Sequence, residues 1–268
     1  MAARSGKLPL FQVDAFTSRL FRGNPAAVML LSRFEKDEVL QAIAAENNLS
    51  ETAFLVPTAS DYRLRWFTPT TEVPLCGHAT LASAAVVMER LEPGRQRVVF
   101  HSPSGPLTVE RKGAVYVMDF PARPSRKIAP LLALEGALHE TPAETWENEF
   151  NYMAVFDNDR LVQELSPDFE AVARLDRPGL IVTASGADKF DFVSRYFAPA
   201  KGIPEDPVTG SAHCMLAPYW AERLGRTRLL GYQASRRGGE VGCVLNGDRV
   251  SLEGSCAFYL EGQAMVDA

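Results

Sequence analysis

The sequence predicts a mixed α+β chain built from two similar halves, each with a buried central helix among short strands. Three observations carry this prediction. The segment Asp61-Tyr62-Arg63-Leu64-Arg65-Trp66-Phe67-Thr68-Pro69, followed by Val73-Pro74, returns in one unbroken register as Asp191-Phe192-Val193-Ser194-Arg195-Tyr196-Phe197-Ala198-Pro199, followed by Ile203-Pro204. Each copy leads into a glycine-containing turn, Cys76-Gly77-His78 in one and Thr209-Gly210-Ser211 in the other, and then into a run of small and apolar residues. Around both lie short β-rich stretches punctuated by Gly, Pro and Asn. An interval this long excludes a solenoid, whose repeats are much shorter, and points to a duplicated unit whose halves face each other.

At 268 residues the chain is long enough for two domains or one large one, and it buries a core without staples. Apolar residues make up 46% and charged residues 23%, so neither disorder nor a membrane-embedded bundle fits. A net charge of -5 supplies no field to gather a nucleic-acid backbone, and no nucleic-acid partner is expected. The opening segment has basic residues but no apolar stretch long enough for a signal-peptide core, and the most lipid-like run, Ala79 to Met88, is far short of a membrane span. The cysteines at 76, 214, 243 and 256 have neither paired-thiol spacing nor scaffold density. A reducing, cytoplasmic setting follows, in which the sequon Asn48-Leu49-Ser50 is a chance match.

The elements follow in chain order. Strands are expected at Pro9–Phe16, Ala26–Leu31, Phe54–Pro57, Val98–Phe100, Leu107–Arg111, Val115–Phe120, Gly179–Thr183, Val241–Leu245, Arg249–Leu252 and Ala257–Leu260. Glu35 to Glu46 reads as an amphipathic helix ending before Asn47-Asn48. Ala79 to Arg90, free of Pro and Gly, reads as a buried helix; Ala212 to Leu224 matches it except for Pro218, which should kink the helix or mark its real start. Asn246-Gly247 is a two-residue hairpin signal. Pro121 to Arg126 breaks the alternating pattern and is the expected joint, giving halves of residues 1–120 and 121–268.

Several familiar machines are missing: a Walker-type phosphate loop, a dinucleotide fingerprint, HExxH and a cysteine pair suited to zinc. No cofactor is expected. No metal is expected either, because His78 and His213 sit at different turns without a clear third ligand. The two helix-opening turns offer free backbone N–H groups and positive helix ends, a geometry that holds a carboxylate; alternatively Gly77 and Gly210 only permit tight turns. Glu51, next to an apolar strand, is either a solvated strand-end residue or a carboxylate aimed into a cleft. Trp66 and Tyr196 are expected in the core. Arg236-Arg237 either supplies a cation to a substrate carboxylate or belongs to an exposed loop.

Six motifs taken together resemble one family. Phe11-Gln12-Val13-Asp14-Ala15-Phe16, Gly23-Asn24-Pro25-Ala26-Ala27-Val28, Ser50-Glu51-Thr52-Ala53-Phe54, Arg65-Trp66-Phe67-Thr68-Pro69, Cys76-Gly77-His78-Ala79-Thr80 and Asp206-Pro207-Val208-Thr209-Gly210-Ser211-Ala212 are similar to the motifs of the PhzF-like (phenazine biosynthesis-like) isomerases. They stand in the family's order and span most of the chain. The resemblance implies the diaminopimelate epimerase-like fold: two pseudo-symmetric halves, each an open β-barrel wrapped around a central helix, with the active site in the cleft between them. It also implies that the last strand returns to the first half and that the protein is a homodimer. The function it implies is cofactor-free proton transfer on a small carboxylate-bearing substrate. Glu51, His78 and Asp206 would then be catalytic, and Asn24, Cys76, Gly77, Gly210 and Ser211 would bind substrate, with Asn24 and Asp14 open to turn and strand-end roles instead. Removing a proton from carbon needs a base tuned toward neutrality and donors where negative charge develops, and the amides at Gly77-His78 and Gly210-Ser211 are placed to be such donors.

The departure is at the cysteines. Epimerases and proline racemases of this fold use one cysteine at each turn, whereas here only the first turn has one, Cys76. A two-cysteine racemase is therefore disfavoured, while an epimerase or racemase using Cys76, or a binding protein that kept the fold without catalysis, are the competing readings.

Overall fold

The computed structural model describes residues 5–267; residues 1–4 of the opening segment, where no signal-peptide core is expected, and residue 268 lie outside the described residues. The chain divides into two compact units, Met1–Asp119 with Glu253–Ala268, and Phe120–Leu252.

The first unit runs β1 (Ser5–Ala15), β2 (Asn24–Leu30), α1 (Asp37–Asn47), β3 (Glu51–Pro57), β4 (Tyr62–Phe67), β5 (Glu72–Val73), α2 (Gly77–Val86), β6 (Arg97–Ser102), β7 (Gly105–Lys112) and β8 (Val115–Pro121). The C-terminal strand, Cys256–Asp267, lies antiparallel along the whole of β1, from Ala15 opposite Cys256 to Ser5 opposite Asp267. β1 pairs antiparallel with β2, β2 parallel with β3, β3 antiparallel with β4, and β4 parallel with β6. α2 lies against β1, β2 and β3, and from His78 to Val86 every residue is buried. That burial on all sides is what a run of Ala, Ser and Leu permits, since small side chains let strands approach a helix closely. The sequence predicts an α-helix as far as Arg90. In the structure the α-helix stops at Val86 and Val87–Leu91 widen into a π-turn, closed by Glu92 N donating to Val87 O at 2.7 Å. The wider turn carries Glu89, which accepts the Tyr116 hydroxyl and pairs with Arg111.

The second unit runs β9 (Arg126–Ile128), α3 (Leu132–Leu138), β10 (Glu144–Glu147), β11 (Asn151–Phe156), α4 (Asp159–Glu164), α5 (Phe169–Ala173), β12 (Gly179–Ser185), β13 (Phe192–Ala198), β14 (Ile203–Glu205), α6 (Gly210–Leu224), β15 (Arg228–Gln233), β16 (Gly239–Asn246) and β17 (Arg249–Gly254). Its pairing scheme repeats that of the first: β10 antiparallel with β11, β11 parallel with β12, β12 antiparallel with β13, and β13 parallel with β15. The sequence reading places no helix at α3, α4 or α5 and no strand at β4, β5, β9, β10, β11, β13, β14 or β15; β11 is buried at every position and shows no alternation to read.

Pro218 neither starts α6 nor ends it, because the helix is continuous from Gly210 to Leu224. Proline cannot donate to the carbonyl four residues back, which here is that of Cys214. That carbonyl instead accepts the backbone N–H of Arg123, at 2.9 Å, from the segment that enters the unit.

The repeated residues reproduce their contacts as well as their strands. Arg65 Nε donates to Glu72 Oε1 at 2.7 Å and its guanidinium lies 5.0 Å from the Phe67 ring centre; Arg195 Nε donates to Glu205 Oε1 at 2.7 Å and lies 4.8 Å from the Phe197 ring centre. Asp61 accepts the backbone N–H of Val99 at 2.9 Å and pairs with Arg95, while Asp191 accepts that of Leu230 at 2.7 Å and pairs with Arg226. Trp66 and Tyr196 are both buried.

Candidate active site

In the first unit, three strand and helix starts bring Asn24, Glu51, Cys76 and His78 together. Gly23 precedes Asn24 with a φ of +64°, and a Cβ there would stand 2.2 Å from Ala15 O, so only glycine turns the chain into β2 at this point. Asp14, buried on the neighbouring β1, accepts the Phe21 backbone N–H at 2.9 Å and steadies the same loop, which gives it a turn-holding role. Glu51 opens β3 after Asn48, whose left-handed conformation ends α1. Cys76 is the N-cap of α2 but forms no side-chain cap, so the amides of Gly77 and His78 have no capping side chain.

The imidazole of His78 is the hub. Its Nδ1 is 3.2 Å from Asn24 Nδ2 and 3.5 Å from Cys76 Sγ, and its Nε2 is 3.1 Å from Glu51 Oε2. The Glu51 contact is an ion-pair distance, yet Nε2 has no aligned hydrogen-bond partner, so the carboxylate oxygen stands off the axis of the ring nitrogen. Burial works against charge on His78, but Cys76 and Glu51 outweigh it and hold the imidazole well above its ordinary range. Of the two, Glu51 is the effective partner. Cys76 would have to be a thiolate to contribute, and burial first, then the Glu51 charge, push its thiol up. The side chain of Glu51 is 16% exposed against 6% for His78, so the carboxylate is the part of the pair that a ligand reaches.

In the second unit, Asp206, Thr209, Gly210 and Ser211 lie on the turn from β14 into α6. Thr209 is the N-cap of α6, again without a side-chain cap, and its hydroxyl instead donates to Asp206 Oδ2. Ser211 is exposed on the first turn. Two residues not singled out by the sequence hold this turn. Gln233, fully buried at the end of β15, donates through Nε2 to Asp206 O at 2.7 Å and accepts Thr209 N–H through Oε1 at 2.9 Å. Ser235 Oγ donates to Pro207 O at 2.8 Å and accepts Gly238 N–H at 3.1 Å, so the Arg236-Arg237 loop is fastened to the same turn. No local pattern in Arg228–Gln233, a strand that opens on an exposed arginine, marks Gln233.

Register shows what the duplication did to the reactive positions. Thr52 pairs with Phe67 and Leu180 with Phe197, so Gly179 corresponds to Glu51. A Cβ on Gly179 would lie 2.1 Å from Asn151 Oδ1 and 2.3 Å from Tyr196 Oη. The second unit therefore has no room for a carboxylate at that place. At the N-caps, Thr209 stands where the first unit has Cys76.

The sequence shows no clear third ligand beside its histidines, but the fold supplies one: a donor atom from each of Glu51, Cys76 and His78 lies within 4.8 Å of the other two. Linear spacing hides the set because Glu51 belongs to a different strand.

A family profile described as "Phenazine biosynthesis-like protein" matches residues 13–267. The chain belongs to the phenazine biosynthesis-like family. A Pseudomonas aeruginosa relative named as an isomerase is 49% identical, with 96% of this chain and 98% of the relative covered. The human phenazine biosynthesis-like domain-containing protein is 41% identical over 96% of this chain and 98% of its own. Among solved structures, a PhzF-family protein of Enterococcus faecalis aligns with a TM-score of 0.93 at 44% identity, covering 97% of this chain and 99% of that one. A hydroxyproline epimerase from Agrobacterium vitis, at 11% identity and a TM-score of 0.61, shares the fold alone. The family member described here is thus a sheet-rich α+β enzyme of the isomerase type. Among the described residues no helix is long and apolar enough to cross a membrane.

Proposed function

We propose that the protein is a cofactor-independent isomerase that moves a proton on a small carboxylate-bearing substrate, with Glu51 as the acid/base. The supporting observation is the Glu51–His78 contact of 3.1 Å with Asn24 on the other ring nitrogen. Glu51, the more exposed of the pair, takes a proton from carbon, and the same carboxylate returns it elsewhere. Negative charge that develops on the substrate meets the uncapped amides of Gly77 and His78. Asp206 is assigned to assist catalysis, and Gly210 and Ser211 to bind substrate. Asn24 orients His78, and Cys76 lines the site. Each half is proposed to be an open β-barrel around its helix, α2 in the unit of residues 1–119 with 253–268 and α6 in that of residues 120–252, and the working protein a cytoplasmic homodimer.

The test is hydrogen exchange with solvent. Incubated in deuterated water with a panel of small mono- and dicarboxylic acids, the wild type should incorporate deuterium into at least one acid. Glu51→Gln should lower that rate by at least about a hundredfold, the low end of general acid–base contributions. A second reading, an epimerase acting through Cys76, is favoured by the 3.5 Å contact of Sγ with His78. It replaces the first if Cys76→Ser abolishes exchange while Glu51→Gln leaves it intact.

A further inference from the structure

Glu51, Cys76 and His78 offer one oxygen, one sulfur and one nitrogen donor, all within 4.8 Å of one another. Three protein ligands of this mixture suit a borderline-soft ion with an open fourth position; magnesium and calcium would ask for more oxygens than the cluster has. With Zn–S near 2.3 Å and Zn–N near 2.0 Å, a tetrahedral S···N edge is about 3.5 Å long. The Cys76 Sγ to His78 Nδ1 distance is 3.5 Å. An N···O edge comes to about 3.3 Å by the same geometry, with the oxygen off the axis of the ring nitrogen because the ion occupies that axis. Glu51 Oε2 stands 3.1 Å from His78 Nε2 in that manner, and this nitrogen, on a ring only 6% exposed, has no aligned hydrogen-bond partner. The two contacts lie on different nitrogens of the ring, so one ion reaches all three donors only after a side-chain rotation at Cys76 or Glu51.

We infer that Glu51, Cys76 and His78 bind one thiophilic divalent ion, Zn2+ or an ion of like chemistry, and that the bound ion stops proton transfer. Binding stands on the donor geometry alone. Inhibition rests on the reading of Glu51 as the acid/base, because the ion takes the carboxylate lone pair that would receive the proton.

Cobalt(II) reads the binding directly, since a thiolate ligand gives it a near-ultraviolet charge-transfer band. The full chain, freed of metal with a chelator, is titrated with Co2+, and Zn2+ is then added. The expected result is a thiolate band saturating at one Co2+ per chain and bleached by one equivalent of Zn2+. Cys76→Ser should lose the band while Cys256→Ser keeps it, with circular dichroism confirming that both are folded. Glu51→Gln, which retains the thiol, should show the band with affinity at least tenfold weaker. Absence of a stoichiometric band in the wild type, its survival in Cys76→Ser, or unchanged affinity in Glu51→Gln overturns the inference. In the exchange assay Zn2+ should suppress wild-type turnover and excess chelator should restore it. If Co2+ binds as expected but Glu51→Gln still exchanges substrate hydrogen, the site survives and the acid/base assignment fails; if Glu51→Gln is dead and no band forms, the reverse holds.

Discussion

His78 and His213 show how one residue type takes opposite roles in the two units. His78 keeps a carboxylate within 3.1 Å and is held charged, whereas His213 is fully buried and its Nδ1 donates to Thr209 O at 2.8 Å, with nothing on Nε2. Burial drives the His213 pKa down to about 4. The unfolded chain would protonate this histidine near 6.5, so between pH 6.5 and 4 it takes up a proton that the folded chain refuses. Stability contributed by neutral His213 is therefore complete above pH 6.5 and is lost as the pH falls toward 4, by about 3 kcal/mol in all. In urea titrations at pH 7.5 and pH 4, His213→Asn, which can still donate to Thr209 O, should narrow its stability deficit against wild type by about that amount on acidification. A deficit independent of pH would show that His213 is not buried as the neutral form.

At the scale of elements, the turn from β14 to α6 depends on a side chain from another strand. Asp206 O and Thr209 N–H are both satisfied by the one amide of Gln233, which no local sequence pattern supplies. Replacing Gln233 with Leu keeps the bulk and orphans two buried backbone groups, each worth about 1–3 kcal/mol. The expected outcome is a loss of about 2–6 kcal/mol in global stability, together with faster amide exchange at Thr209 than in α6 beyond Pro218. Gln233→Glu keeps the acceptor for Thr209 and should restore slow exchange there. Helix α6 gives a second case of the same kind: its Pro218 is accommodated because Arg123, from a distant part of the chain, donates to the freed Cys214 carbonyl. Propensity alone makes the proline a kink or a helix start, and the tertiary hydrogen bond to the Cys214 carbonyl is what lets the helix run through it.

For the whole molecule the duplication is the organising fact, and it makes a quantitative demand. Asp61 and Asp191 each tie a strand backbone and an arginine within their own unit. Burial raises the carboxyl pKa of Asp61, but the Val99 amide and Arg95 more than reverse that and hold it below the ordinary range. Asp61→Asn and Asp191→Asn should each cost about 1–3 kcal/mol in urea unfolding, and the double variant should equal their sum because the two share no partner. Strong non-additivity would mean that the two networks are not independent. The repeat, the two central helices, the positions of ten strands and the six motifs that mark the family are legible along the chain, because periodicity and turn chemistry are local properties. The sequence also picked out Glu51, Cys76, His78 and Asp206 as residues of interest. Tertiary structure alone decided that Glu51 meets the side of His78 opposite Cys76 and Asn24, that these donors form one cluster, that Gly179 leaves the second unit without a matching carboxylate, and that Gln233 and Arg123 complete α6. Those facts depend on strand register and on side chains far apart in sequence, and a contact between distant residues leaves no local signal in either one.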